Sequence, residues 1–287
     1  AAAATPQADC MTPQSCPPQQ AAPPRKKRTG LIVGLAAGSV ALAGILVAAY
    51  FLFLSGPGIK GLWVCRQCGW ALRIEDSVFA EAPRQEHSLP HLLYVGRIAR
   101  FEVEGSRFHQ GQRGHLIKSR ARRSEIRYNM IHDGPAGEAS YEIDLPNGGH
   151  ATLVGNVIGQ SAASQNATVV TFGAEGDAWP DSRLELAHNT LLNEGLRPAL
   201  FLRVWAERLP AATPVLTRNN LTVGLGVFTT TNAGDHAGNV PLPPGALGDP
   251  GILDFSLGAD ALLRRRAFPP APSHLVPQAE FALPLGT

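Results

Sequence analysis

The sequence has few cysteines, few aromatic residues and almost no excess of one charge. Four cysteines occur in 287 residues and none follows Cys68, so a disulfide framework does not hold the main part of the chain together. Aromatic residues make up 7% of the chain, which argues against an aromatic-rich lectin surface. The formal net charge of +2 provides no basic surface for nucleic acid, which is therefore not an expected partner.

Hydrophobic residues, glycine and proline are plentiful instead. The hydrophobic fraction of 44% is sufficient for a sizeable core, and 30 glycines and 24 prolines indicate a chain rich in turns. Cys65 and Cys68 form a Cys-x-x-Cys pair, which suits a redox site, half of a zinc site or a local disulfide. Because no second pair or suitably spaced histidine accompanies them, a local disulfide is the simplest interpretation if this segment lies outside the cytoplasm.

The first part of the chain predicts a disordered tail followed by a membrane anchor. Residues 1–29 are rich in Ala, Pro and Gln and carry a basic cluster at 25–28. Residues 30–54 are uncharged and apolar, which is long enough for one transmembrane helix. A cleaved signal peptide is the alternative, although its apolar region is normally about 7–15 residues long. The positive-inside rule then places the N-terminus in the cytoplasm and the following chain in the periplasm or outside the cell.

A repeat follows the predicted span. Its pattern is an apolar residue, any two residues, Asn or Ser, any one residue, and a second apolar residue. A period of 23–33 residues predicts a solenoid. We interpret the polar members as structural, stacked at one bend where each side chain satisfies the turn backbone of its neighbour. The polar members are Ser77, Ser106, Asn129, Asn156, Asn189 and Asn219.

Each repeat contains a second run that is typical of a strand. Two or more short strands per coil, joined by turns, build parallel sheets that stack coil upon coil. A leucine-rich-repeat horseshoe is the alternative solenoid. It is disfavoured because β-branched runs such as 168–171 occupy the part of each repeat where that fold would place an amphipathic helix. The prediction is therefore an all-β parallel β-helix of about six coils over residues 71–239. The second runs are 91–98, 115–121, 141–145, 168–172, 199–205 and 224–230.

The ends of the solenoid require cover, because an open end exposes sheet backbone and apolar core. Residues 55–70 are predicted to link the span to the solenoid and to cap its first coil. Their short length suggests that part of a longer solenoid is absent from this chain. Residues 240–287 are rich in Pro and Gly, and we expect them to pack along the solenoid and cap its other end.

The region from about Trp70 to Asn239 resembles the right-handed β-helix repeat proteins of the pectin-lyase-like superfamily. The segments that look like a bacterial branch of it are 115–121 (HLIKSRA) and 140–149 (SYEIDLPNGG). The pair 117–119 (IKS) and 126–129 (IRYN) is also similar to the lysine-bearing coil of the chondroitinase-B-like alginate lyases. The resemblance implies a right-handed solenoid that acts on polysaccharide. Those lyases carry an arginine on the following coil, where this sequence has Glu142 and Asp144.

The best candidate site combines four charged residues of neighbouring coils. Because side chains alternate along a strand, Lys118 and Arg120 share one face, and Glu142 and Asp144 share one face of the next coil. If Ile117 and Ile143 stack in the core, both charged pairs point outward. Coils are about 4.8 Å apart within a sheet, which brings Lys118 within reach of the carboxylates.

These residues fit more than one chemistry. In a lyase of acidic glycans, Lys118 is the candidate base, and Arg120 supports it because a neighbouring positive charge lowers the pKa of the lysine. Glu142 and Asp144 are candidate ligands of a calcium ion that stabilises the enolate-like transition state. A hydrolase would use two carboxylates instead, with Glu175 and Asp177 also available. The simplest alternative is a cross-strand ion pair without catalytic function.

Further residues are candidates for sugar contacts. Tyr94 and Arg97 belong to the preceding coil, and Trp205 has a ring that suits stacking on a sugar or packing against the next coil. Two functions follow as hypotheses: a membrane-anchored enzyme acting on polysaccharide, foremost a lyase, and a non-catalytic carbohydrate-binding or cell-envelope module. The fold alone does not distinguish them, because one solenoid can carry many different sites.

Overall fold

A computed structural model describes residues 61–66, 69–84, 89–135, 137–231, 234–258, 263 and 269–281. The predicted tail (1–29), the predicted transmembrane span (30–54) and Cys68 lie outside these residues. Among the described residues, no helix has the length and apolar character needed to cross a bilayer. The described residues belong to one compact unit, Pro57–Thr287.

The chain forms three sheets of parallel strands stacked coil upon coil, the arrangement of a parallel β-helix. Strands β1–β21 are numbered in chain order, and among these described strands only β1 runs antiparallel, against β2 at one edge of sheet A. Sheet A consists of β1 (Gly61–Arg66), β2 (Gly69–Glu75), β5 (Arg100–Glu104), β8 (Arg123–Arg127), β11 (His150–Val154), β14 (Arg183–Ala187), β17 (Val215–Arg218) and β20 (Asp235–Ala237).

Sheets B and C receive the other strands of each coil. Sheet B consists of β3 (Val78–Ala80), β6 (Arg107–His109), β9 (Met130–His132), β12 (Val157–Gln160), β15 (Thr190–Asn193), β18 (Leu221–Val223) and β21 (Val240–Leu242). Sheet C consists of β4 (Leu93–Val95), β7 (Ile117–Ser119), β10 (Ile143–Leu145), β13 (Thr168–Phe172), β16 (Ala199–Val204) and β19 (Gly226–Thr229). The described part of the chain also forms three short 3-10 helices, which are Ala206–Arg208, Pro250–Ile252 and Ser273–Leu275.

The core consists of apolar side chains that repeat from coil to coil. In β5, Phe101 and Val103 point inward and are buried, while the residues between and beside them point outward. Phe79 and Phe108 stack with ring centroids 4.7 Å apart, close to the separation of neighbouring strands. Sheet C contributes its own inward row, which is Ile117, Ile143, Val170 and Leu202.

A ladder of buried polar side chains runs along the bend between sheets A and B. The backbone N–H of Asn129 donates to Oδ1 of Asn156, and that of Asn156 donates to Oδ1 of Asn189, each at 3.0 Å. These bonds confirm the structural interpretation of the repeat. The predicted last member of the ladder, Asn219, was wrong by one residue, because Asn189 bonds Asn220 instead. Asn219 instead has a left-handed backbone conformation, with φ 54°.

Two segments after β21 lie on the outer surface of the sheets. Leu247 packs against Leu192 and Val223 of sheet B. Farther along, Leu275 is fully buried among side chains that include Tyr128 and Val154. These contacts place both segments along the side of the solenoid.

Candidate functional site

The outward face of sheet C carries a row of polar residues. Register aligns Tyr94 with Lys118, Lys118 with Asp144, Asp144 with Thr171, and Thr171 with Arg203. Their neighbours one position earlier fill the core, so alternation along each strand directs this row outward. Lys118 and Asp144 are therefore direct cross-strand neighbours.

Lys118 contacts two carboxylates. Its Nζ lies 3.2 Å from Oδ2 of Asp144 and 2.6 Å from Oε1 of Glu175. Since both carboxylates contact the same atom, their contacting oxygens lie within about 6 Å of each other. The ion pair of neighbouring coils that the sequence predicts is thus present, and a third residue joins it.

Arg120 completes the cluster. Its guanidinium bonds the second carboxyl oxygen of Glu175, donates from Nε to the hydroxyl of Tyr94 at 2.8 Å, and donates to Oδ1 of Asn147 at 2.7 Å. We call Lys118 and Arg120 the cation pair, because one carboxylate, that of Glu175, bridges them.

Glu175 comes from the connection between β13 and β14. Gly173 has φ +86°, where a Cβ would meet the side chain of Leu209 at 2.7 Å, so the turn that starts this connection requires glycine. The Glu175 N–H donates to the carbonyl of Pro146 at 3.0 Å, and Nε1 of Trp179 donates to the carbonyl of Arg120 at 3.1 Å. These bonds fix the connection beside β7 and β10.

The two carboxylates have different environments. Burial raises the pKa of Asp144 to about 6, although Lys118 opposes the shift. Burial also acts on Glu175, but hydrogen bonds from Lys118 and Arg120 outweigh it and lower the pKa of that carboxyl. The carboxyl group of Asp144 therefore titrates near pH 6, whereas that of Glu175 stays ionised at this pH.

Two histidines and a tyrosine stack beside the cluster. Ring centroids are 4.6 Å apart for His91 and His115, and 4.8 Å apart for His115 and Tyr141. Nε2 of His115 lies 3.4 Å from Oδ2 of Asp144. Burial lowers the pKa of His115 to about 3 and that of His91 to about 4, so both rings are neutral at pH 7.

Access to the cluster differs among its members. Lys118 and Asp144 are buried, with relative exposures of 8% and 2%, whereas the side chain of Glu175 is 44% exposed. Tyr94 is 53% exposed. Glu175 and Tyr94 therefore form the outer surface of the cluster, with the other two charges beneath.

The remaining predicted contact residues lie at the margins. Arg97 pairs with Asp177 at 2.8 Å and stacks on Trp179, with its guanidinium carbon 4.4 Å from the ring centroid. Trp205 donates to Oγ1 of Thr171 at 3.0 Å and packs against Arg203. Arg97 thus adjoins the cluster through the β13–β14 connection, and Trp205 lies on the following coils.

The expectation that Glu142 points outward beside Asp144 is wrong. Glu142 is fully buried, and neither carboxyl oxygen has a hydrogen-bond partner among the described residues. It precedes β10 and aligns with Leu116 and Val169, which are core residues. Burial, and then the charge of Asp133, raises its pKa well above the ordinary range. Glu142 is therefore no part of the outward cluster.

The calcium hypothesis does not fit the described side chains. Glu142 is buried away from the cluster, and Oδ2 of Asp144 already contacts the ammonium of Lys118. Among the described residues, no group of three or more His, Cys, Asp or Glu side chains is placed to hold a metal ion.

Sequence reasoning missed several contributors. Asn147 and Trp179 carry no periodic signal, because both belong to connections between sheets. The Gly-rich segment after β13 indicated a tight turn at this connection, but the contacts of the connection depend on how the coils pack.

Comparison with protein-family models, with curated proteins and with solved structures gave no significant match. The parallel β-helix architecture therefore rests on the geometry of the chain itself.

Proposed function

We propose that the protein binds an acidic polysaccharide on the outer face of sheet C, where the cation pair holds a carboxylate of the sugar. The observation that supports this is the bridge formed by Glu175, whose two oxygens contact Lys118 and Arg120 separately. The cation pair therefore has the geometry to bind one carboxylate through both oxygens. Charge-assisted bonds of this kind are strong and directional.

The exposed ring of Tyr94 provides a second contact for a sugar. Its hydroxyl bonds Arg120, and the residue is 53% exposed. Aromatic side chains with one polar end suit ligands that are partly apolar and partly hydrated. A glycan crossing several coils would meet Tyr94 and the cation pair together.

A lyase of acidic glycans is the second candidate function. Elimination beside a uronate carboxylate requires cations that neutralise this group, and the cation pair can supply them. Lys118 contacts two carboxylates, so a role as neutral base would require release of both ion pairs. The Tyr94 hydroxyl, which accepts a bond from Arg120, is the better candidate for the base.

Replacement of Lys118 by alanine tests the proposed function. We expect the full-length wild-type chain to bind polygalacturonate or alginate, and Lys118→Ala to weaken binding at least about tenfold, because a charge-assisted contact is lost. Arg122→Ala is the matched control, since Arg122 pairs with Asp181 outside the cluster. Titration calorimetry measures binding, and ultraviolet absorbance of unsaturated uronate products reports elimination.

The outcomes separate the candidates. Binding without a rise in absorbance indicates a carbohydrate-binding module, whereas a rise that Lys118→Ala abolishes indicates a lyase. Equal binding by wild type, Lys118→Ala and Arg122→Ala would refute a site at the cation pair. Arg120→Ala, with thermal unfolding as a check of folding, keeps the test decisive if Lys118→Ala is unstable.

The winding and family are also part of the proposal. We infer right-handed winding, because crossovers between parallel strands are right-handed in nearly all known cases. Together with the sequence resemblance, this supports a pectin-lyase-like solenoid. The same resemblance underlies the expectation of a polysaccharide ligand.

We further infer that residues 30–54 anchor the protein, with the basic cluster on the cytoplasmic side and the solenoid in the periplasm or outside the cell. Protease added to bacterial spheroplasts that express the chain should digest a C-terminal tag while the membrane is intact. Protection of that tag until detergent is added would contradict the orientation. Recovery of the tag in the soluble fraction would contradict the anchor.

A further inference from the structure

The carboxylate of Glu175 stands where a ligand carboxylate would have to bind. One oxygen lies 2.6 Å from Nζ of Lys118, and the other bonds the guanidinium of Arg120. Glu175 is the outermost charged member of the cluster, while Lys118 and Asp144 lie buried beneath it. A ligand can therefore reach Lys118 only if the Glu175 side chain moves away.

Movement of this side chain does not require the backbone to move. The backbone is fixed by two hydrogen bonds. The Glu175 N–H donates to the carbonyl of Pro146 at 3.0 Å, and Nδ2 of Asn147 donates to the carbonyl of Gly176 at 2.7 Å. Among the described residues, the Glu175 side chain is bonded only to the cation pair, and it is 44% exposed. Rotation about its own bonds would release the carboxylate into water.

Charge balance decides which ligands can replace it. With Glu175 in place, the cation pair faces two carboxylates, those of Asp144 and Glu175. Removal of Glu175 by a neutral sugar would leave one cation in a partly buried position without its partner, which is costly. A ligand carboxylate would restore both contacts and keep the charges balanced.

We infer that Glu175 is a specificity-determining residue that occupies the position of a sugar carboxylate, so that only carboxylate-bearing glycans displace it. This inference rests on the proposed function of the same site and identifies uronate glycans as the ligand class. Glu175 competes with the ligand and thereby sets both selectivity and affinity. Neutral glycans are excluded because they cannot satisfy the cation pair.

Glu175→Gln tests this competition. Glutamine keeps the size of the side chain but not its charge, so we expect the dissociation constant for polygalacturonate to fall on the order of tenfold. Asp181→Asn is the matched control, because it removes one negative charge from the same connection without touching the cation pair. Its dissociation constant should stay within about twofold of wild type. Methyl-esterified polygalacturonate, which lacks the free carboxylates, should bind weakly to all three proteins.

Each result has a distinct meaning. Equal affinity of Glu175→Gln and Asp181→Asn, with loss of binding in Lys118→Ala, would overturn the inference and leave the proposed function intact. Tight binding of the methyl ester by wild type would also overturn it. Failure of the wild type and of Glu175→Gln to bind polygalacturonate or alginate would refute the proposed function and the inference together. Thermal unfolding of each variant confirms that the compared proteins are folded.

Discussion

Replacement of Asn156 by alanine is expected to lower the free energy of unfolding by about 3–5 kcal/mol. The Asn156 side chain accepts bonds from the N–H and the Nδ2 of Asn129, both at 3.0 Å. It donates to the carbonyl of Ile126 at 2.9 Å and to Oδ1 of Asn189 at 2.8 Å. Because all partners are buried, truncation leaves several polar groups without water or protein to bond.

Denaturant unfolding measured by circular dichroism checks this loss. Asn166→Ala serves as the control, since Asn166 is partly exposed and its side chain makes one bond within the described structure, to Ser140. We expect the control to lose less than about 1 kcal/mol. If both variants lost the same amount, the ladder would not be a main source of stability in this solenoid.

The same ladder shows what the sequence pattern can predict. Asparagines at 129, 156 and 189 could be placed correctly because apolar residues flank each of them at fixed distances. The pattern failed at Asn219 because the inward residues of that coil include Thr217 and Thr222, which are buried although polar. A pattern based on apolar residues therefore selected Leu216 and shifted the assignment by one.

The candidate site was predictable only in part. Alternation along β7 and β10, combined with the spacing of coils, was sufficient to predict the contact between Lys118 and Asp144, which the 3.2 Å separation confirms. The catalytic or binding roles of these residues stay predictions. The bridge to Glu175 could not be predicted, because a connection between sheets has no periodicity that reports its path.

The position of Glu142 was predicted wrongly for a different reason. Strict alternation assigns it to the face of Asp144, but Glu142 lies before β10, next to the bend into sheet C, where its neighbours Leu116 and Val169 also point into the core. The interior thus holds a carboxyl group whose oxygens have no described partner. Glu142→Leu should therefore raise the free energy of unfolding at pH 7 by about 1–3 kcal/mol, since it replaces an unsatisfied polar group with an apolar one.

The pH dependence gives the sharper test of Glu142. Burial raises its pKa in the folded chain, so the folded state binds a proton that the unfolded state releases. The stability due to this group is complete below its ordinary pKa and declines as pH rises, by about 1.4 kcal/mol per pH unit. Asp133 and Asp144, with pKa values of about 6, add the same trend only at lower pH.

Buried histidines such as His91 and His115, whose pKa values burial lowers, give the opposite trend, but they do so equally in wild type and in the Glu142 variants. The difference in unfolding free energy between wild type and each variant at pH 7, 7.5 and 8 therefore isolates Glu142. Wild type should lose stability relative to Glu142→Leu and Glu142→Gln as the pH rises, because neither replacement titrates. The two variants also separate the effect of charge from that of polarity. Glu142→Gln removes the titrating group but keeps a buried polar side chain, so only Glu142→Leu should raise the free energy of unfolding at pH 7. The same pH dependence in wild type and in both variants would mean that Glu142 does not carry the proton, and that another buried group does.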